Sequence, residues 1–213
     1  MADQIFRRRA RAQQVDTFNN VVLNIGITGE TGAGKSSFVN AIRGPRVNEV
    51  RAAKTGVTQT TMYPTAYYDP SKPNIIIWDL PGIGDNTFKA STYLKDVKFK
   101  KYDFFIIVSA GRFKENDIML AKEIQKKKKK FYFVRSKIDL DVKHGKEKGV
   151  TEEHILQTIR EDCEKNLRKI ESSAPVFLVA SRDWNRFDFQ ELVEALERDL
   201  PGYKRPALVL NVQ

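Results

Sequence analysis

The stretch Gly29-Glu30-Thr31-Gly32-Ala33-Gly34-Lys35-Ser36 fits the pattern G-x-x-x-x-G-K-[ST], and its flanks decide what that pattern means. Upstream, Val21 to Thr28 (VVLNIGIT) is mostly aliphatic or β-branched and stops at the glycines. Downstream, an apolar period of helical type runs from Ser37 to Ile42. In a strand, glycine loop and helix so ordered, backbone N–H groups converge on phosphate oxygens and the helix dipole adds positive potential. On this reading Gly29, Glu30, Thr31, Gly32, Ala33, Gly34, Lys35, Ser36 and Ser37 surround the phosphates of a nucleotide. Lys35 reaches the β- and γ-phosphates, and Ser36 offers its hydroxyl to Mg2+. Four fixed positions coincide by chance in a chain of this length on the order of one percent of the time, and correct flanks lower that further.

Further apolar runs follow at Ile75–Asp79, Asp103–Ser109, Lys130–Ser136 and Pro175–Ala180, the signature of strands buried on both faces of a mainly parallel sheet. Amphipathic stretches at about Ser91–Phe99, Glu115–Lys128, Thr151–Glu171 and Phe187–Leu200 are long enough for crossover helices. The alternation predicts a doubly wound α/β fold with helices on both faces. Tyr63–Asp69, before Pro70-Ser71-Lys72-Pro73, supplies one antiparallel edge strand. Thr151 followed by Glu152 and Glu153 reads as a helix cap with acids in the first turn.

Two more motifs lie at C-terminal strand ends, where open α/β sheets bind ligands. Asp79-Leu80-Pro81-Gly82 places a carboxylate where it holds Mg2+ through water and a glycine N–H where it meets a γ-phosphate. Ser136-Lys137-Ile138-Asp139 offers an aspartate able to accept two hydrogen bonds from guanine, with the lysine stem along the base. Ser181 and Arg182 close the last strand, where a backbone N–H can meet the guanine oxygen. Between the glycine loop and the edge strand, Thr55, Thr58, Thr60 and Thr61 are all candidates to cap Mg2+ and the γ-phosphate.

Composition bounds the rest. The 213 residues are 41% hydrophobic and 30% charged, enough for one globular domain, and the net charge of +10 invites a polyanionic partner: nucleotide, nucleic acid or anionic membrane. Cys163 alone forms no internal disulfide, and two histidines leave no zinc cluster, so a reducing compartment is expected. No apolar run approaches the roughly 20 residues of a membrane span. Met1-Ala2-Asp3-Gln4 begins neither a secretion signal nor a myristoylation site. Arg7, Arg8, Arg9 and Arg11 and the run Lys126–Lys130 read first as solvated charge, and second as docking points for anionic lipid or nucleic acid.

The order of glycine loop, threonine-rich loop, D-x-x-G, x-K-x-D and small-residue turn resembles the Ras-like P-loop GTPase fold. Within it, GITGETGAGKSSFVNAIRG, AAKTGVTQTTMYP, WDLPGIG, LKDVKFKKYDFFIIVSAGRF, KKFYFVRSKIDLD and RFDFQELVEALERDLP resemble the immunity-related, interferon-inducible GTPases of vertebrate cell-autonomous defence. The resemblance runs from about Asn20 to Pro206, and Lys35 sets the chain among members with GKS rather than GMS. It implies GTP and GDP as ligands, Mg2+ as cofactor, and Thr61 ahead of Thr55 as the switch residue. It also implies that Glu30 acts catalytically, with Lys35 and Thr61, in a dimer formed across the nucleotide face. Ser136 replaces the usual Asn, which leaves guanine preference mainly on Asp139, and Gln59 stands where the family suggests an acid.

Small Ras-like GTPases position the attacking water with a glutamine after D-x-x-G. Ile83 at that position has no such capacity, so slow turnover by an isolated monomer is expected. The expected organisation is a basic polar arm at 1–19, a GTPase domain at 20–200 and a tail or linker stub at 201–213. This makes the chain either an isolated catalytic domain or a short family member, because relatives usually carry a helical domain as well. A cytoplasmic location, with peripheral contact to intracellular membranes, goes with this reading, and a nucleic-acid partner is disfavoured. Two alternatives stay open: a GTP-binding switch or scaffold with negligible hydrolysis, and a basic membrane- or RNA-binding protein with a vestigial nucleotide site.

Overall fold

The computed structural model describes residues 22–44, 52–56, 61–69, 72–84 and 90–199. Six strands form one sheet: β1 (Leu23–Thr28), β2 (Thr65–Asp69), β3 (Lys72–Asp79), β4 (Phe104–Ala110), β5 (Lys130–Ser136) and β6 (Val176–Leu178). Their order is β2-β3-β1-β4-β5-β6. Every pairing is parallel except β2 with β3, the antiparallel edge expected from the sequence.

The apolar runs become buried parallel strands because both faces are covered. Phe104, Ile106 and Val108 of β4 point into one core with Phe38, Val39, Leu192 and Leu196. Phe105 and Ile107 point into the other with Leu120, Ile124, Phe133 and Leu167. This period of two along a strand separates the layers. Among the described residues, six helices supply the cover: α1 (Lys35–Ile42), α2 (Ala90–Asp96), α3 (Glu115–Lys126), α4 (Ile138–Glu147), α5 (Glu152–Arg168) and α6 (Phe189–Asp199).

Several boundaries differ from expectation. The helix expected to reach Phe99 stops at Asp96, and after Lys98, in the left-handed region at φ 56°, a single 3₁₀ turn covers Phe99–Lys101. Helix α4 is not among the helices expected from the sequence; it begins at Ile138, with one residue, Lys137, between it and the end of β5. The Thr151 cap forms, its hydroxyl accepting from the His154 N–H at 3.4 Å. Parallel register aligns Ile27 with Asp79 and Ala110 with Ser136, bringing the strand ends that bear the motifs to one edge of the sheet. Arg7–Arg11, Thr58, Gln59, Thr60 and the expected arm and tail lie outside the described residues.

Candidate nucleotide site

The glycine loop links β1 to α1 through backbone shapes that other residues resist. Gly29 has φ 139°, and a Cβ there would lie 2.0 Å from the carbonyl oxygen of Val108. Gly34 caps α1 at φ 89° with no side-chain hydrogen bond, and the first helical turn carries no acid, so its N–H groups face the loop mouth. Lys35, only 7% exposed, folds back so that its Nζ donates to the carbonyls of Gly29 (3.1 Å) and Glu30 (2.9 Å). Burial lowers its pKa to about 8, against the opposing pull of the Asp79 and Glu30 charges.

Asp79, at the end of β3, gathers the hydroxyls. Ser36 Oγ donates to its Oδ2 at 2.6 Å and Thr61 Oγ1 to the same oxygen at 3.2 Å. Its Oδ1 is buried and, among the described residues, without a partner. Burial raises the Asp79 pKa, and the Ser36 bond, the Lys35 charge and the Thr61 bond oppose it. An oxygen-only set with one orphaned carboxylate oxygen fits a hard divalent cation.

The D-x-x-G segment lies directly on the glycine loop. Ile83 N–H donates to Gly29 O and Thr31 N–H to Ile83 O, both at 3.1 Å. A Cβ on Gly82 would meet Thr31 Oγ1 at 2.4 Å and Thr31 Cα at 2.8 Å, so only glycine fits this approach. Tyr93 of α2 ties the same loop down: its hydroxyl donates to Pro81 O at 3.0 Å and pairs with Thr28 Oγ1 at 2.8 Å.

One cleft results, lined by Thr31, Gly32, Gly34, Lys35, Ser36, Ser37, Thr55, Gly56, Thr61, Gly82 and Lys137. Ala33 is buried and turns the loop, its N–H donating to Glu30 O at 3.2 Å. Ser136 sits behind the cleft, its hydroxyl within reach of Ala33 O (2.6 Å) and Ser109 O (3.2 Å), so it braces the loop rather than facing it. Lys137, left-handed at φ 60°, lays its stem across the loop to donate to Gly32 O at 2.9 Å. Asp139, in the first turn of α4, does not line this cleft but a separate pocket, with Lys143, Lys146 and Arg186. Neither Ser181, half-buried, nor Arg182, exposed, lines the cleft.

Glu30 turns to a different cavity, lined also by Ile83, Gly84, Lys114 and Asn116. Lys114 Nζ pairs with Glu30 Oε2, and Asn116 Nδ2 donates to Oε1 at 3.1 Å. Asp117 anchors that end of α3: its Oδ2 accepts from Ser109 Oγ (2.8 Å) and from the Lys114 N–H (3.1 Å). Burial pushes the Asp117 pKa up to about 6. These three residues escaped the sequence reading, whose one available signal was an acid three residues after the position preceding a helix.

The fold and cleft together define a P-loop nucleotide-binding domain of the Ras-like type. The sequence profile of the family described as Interferon-inducible GTPase (IIGP) matches residues 10–213. The chain belongs to that family. It is 49% identical over 191 residues to Interferon-gamma-inducible GTPase 10 of Mus musculus, covering 88% of this chain and 46% of that one. It is 45% identical over 194 residues to Interferon-inducible GTPase 5 of Rattus norvegicus, covering 89% and 42%. The chain thus spans about half the length of these relatives. Among solved structures, a dimerization-deficient mutant of Toc33 from Arabidopsis thaliana shares the fold, with TM-score 0.57, 17% identity, and coverage of 81% of this chain and 79% of that one.

Proposed function

We propose that this chain is a Mg2+-dependent GTPase that hydrolyses GTP to GDP and phosphate, is activated by self-association across the nucleotide face, and serves cell-autonomous defence. The observation that carries the reading is convergence at one cleft: an α1 terminus without a side-chain cap, the buried Lys35, and the Ser36 and Thr61 hydroxyls held by Asp79. Ser36 and Thr61 would hold the ion, with Asp79 acting through water, and the ion neutralises phosphate charge. Lys35 exchanges its two loop carbonyls for phosphate oxygens. Lys137 carries the base along its stem, and Asp139 selects guanine by accepting from its N–H groups.

Ile83 is apolar and 2% exposed, so it orients no water. Glu30 is the one carboxylate within the glycine loop, and a partner across the nucleotide face would complete its geometry. We place the domain at residues 20–200 and its work on the cytoplasmic side of intracellular membranes. No described helix is long and apolar enough to cross a bilayer. Family membership supports the defence role, as do relatives named as interferon-inducible GTPases.

The test is phosphate release across micromolar protein concentrations. Turnover per molecule is expected to rise before levelling. Glu30→Gln should bind nucleotide normally yet turn over about two decades more slowly, the usual worth of a positioned catalytic group. Flat specific activity together with near-normal turnover of the variant defeats the dimer mechanism. Negligible release at every concentration, with GTP still bound, selects a switch or scaffold instead.

A further inference from the structure

The charge of this chain is concentrated in two segments. Residues 95–103 and 122–130 contain ten lysines against three carboxylates, a net +7 of the chain's +10. The fold brings these segments together. β4 starts at Phe104 and β5 at Lys130, and these residues are register partners in neighbouring parallel strands. The turn Phe99–Lys101 and the run Lys126–Lys129 therefore emerge side by side at the edge where the strands begin. Lys127 Nζ lies 5.7 Å from the Phe99 ring centroid, joining the runs, and Lys101 Nζ sits 3.5 Å over Trp78.

A helix C-terminus is satisfied by one or two cations. Five consecutive lysines exceed that, and among the described residues Lys126 with Glu123 is the one ion pair these lysines form. Lys95, Lys98, Lys100, Lys122 and Lys128 are exposed. The nucleotide motifs sit at the opposite edge. The seven residues of β5 separate Lys130 from Ser136, roughly 20 Å at 3.3 Å per residue.

We propose that this lysine-rich edge docks on an anionic phospholipid surface, leaving the nucleotide face turned away and free to meet a second copy. The chemistry favours lipid over nucleic acid. Neither segment contains arginine, whose planar fork recognises phosphates and base edges bidentately. The aromatic rings described at this edge are covered by lysines or buried, so among the described residues none offers a platform for stacking bases. What remains is compact point charges on flexible stems, which suit the diffuse field of a bilayer. The proposal deepens the peripheral-membrane part of the reading above and rests on it.

The test uses the whole chain and vesicles of phosphatidylcholine, with and without about 30 mol% phosphatidylserine, in a sedimentation assay. Wild type is expected to bind the anionic vesicles at least about tenfold more tightly than the neutral ones and to release them in high salt. Lys126→Glu/Lys127→Glu/Lys128→Glu/Lys129→Glu and, separately, Lys98→Glu/Lys100→Glu should each lose about tenfold or more, each lysine adding to the attraction. GTP affinity in both variants should stay within about twofold, since the cleft lies more than a Debye length away. Circular dichroism confirms that each variant is folded. Unchanged vesicle binding by either folded variant overturns the proposal, as does equal binding to neutral vesicles. Tighter capture of single-stranded RNA than of anionic vesicles, lost in the same variants, overturns it in favour of nucleic acid. GTP binding read on the same samples separates failure of this edge from failure of the nucleotide reading.

Discussion

On the proposed reading, Lys35 serves the ligand at the expense of the fold. With its pKa lowered from 10.5 to about 8, the protonated side chain costs the folded state about 3 kcal/mol at neutral pH, at 1.36 kcal/mol per unit. The sign follows from proton counts: between about pH 8 and 10.5 the unfolded chain binds the extra proton, so stability rises with pH through that window. Lys35→Met keeps the stem and removes the charge, leaving the carbonyls of Gly29 and Glu30 without their donor at about 1 kcal/mol each. The balance favours the variant by about 1 kcal/mol. Lys35→Met is thus expected to resist urea better than wild type at pH 7, to lose that advantage by about pH 10, and to bind no GTP. Lower urea resistance at pH 7 shows that the carbonyl bonds outweigh desolvation. In wild type, triphosphate affinity should fall as pH rises past 8, because the neutral amine attracts phosphate weakly.

Among the elements, α4 shows how a close approach is built. Gly145 lies within it, and a Cβ there would stand 2.2 Å from Ile155 Cδ1 and 2.8 Å from Cγ1 of α5. A mid-helix glycine costs about 1 kcal/mol against alanine, and the structure accepts this to seat α5. Gly145→Ala alone should therefore destabilise, by about 1 to 3 kcal/mol of overpacking. In an Ile155→Ala background, where the obstructing atoms are gone, the same change should stabilise by about 1 kcal/mol. A double-mutant cycle of urea midpoints checks it, and equal effects in both backgrounds would show that α5 simply moves aside.

The same helix marks the limit of sequence reading. Only Ile138 and Val142 are buried within it, too few to give a helical period against eight other residues of mixed polarity. The strands were legible because they are apolar on both faces, and the glycine loop because its backbone admits few residue types. Ser136 was legible as a position but not as a brace, since its contacts with Ala33 and Ser109 cross 103 and 27 residues. The hold of Lys114 and Asn116 on Glu30 spans 84 and 86 residues and follows from the β1–β4 pairing, which no local pattern encodes.

At the scale of the whole molecule, the cleft draws on both cores. Its loop follows β1, the central strand, and α1 seals one layer through Phe38 and Val39 while Leu80 and Ile83 seal the other. A nucleotide that binds only this arrangement stabilises the entire domain, by about 2.7 kcal/mol at a hundred times its Kd. For a chain of this size that corresponds to a rise in Tm of roughly 5 to 10 °C. The buried Asp79 Oδ1, beside the Ser36 and Thr61 hydroxyls, makes part of that rise depend on the divalent ion. At fixed GTP, chelation with EDTA should therefore shrink the wild-type shift. Asp79→Asn retains the shape, removes the charge that attracts the cation, and should melt alike with and without chelator. Loss of a raised-pKa carboxylate also means the variant without ligand should be no less stable than wild type at neutral pH, so a small shift is not mistaken for unfolding. A wild-type shift indifferent to EDTA would sink the assignment of these oxygens to the ion, while leaving the amide cradle of the glycine loop to account for nucleotide binding by itself.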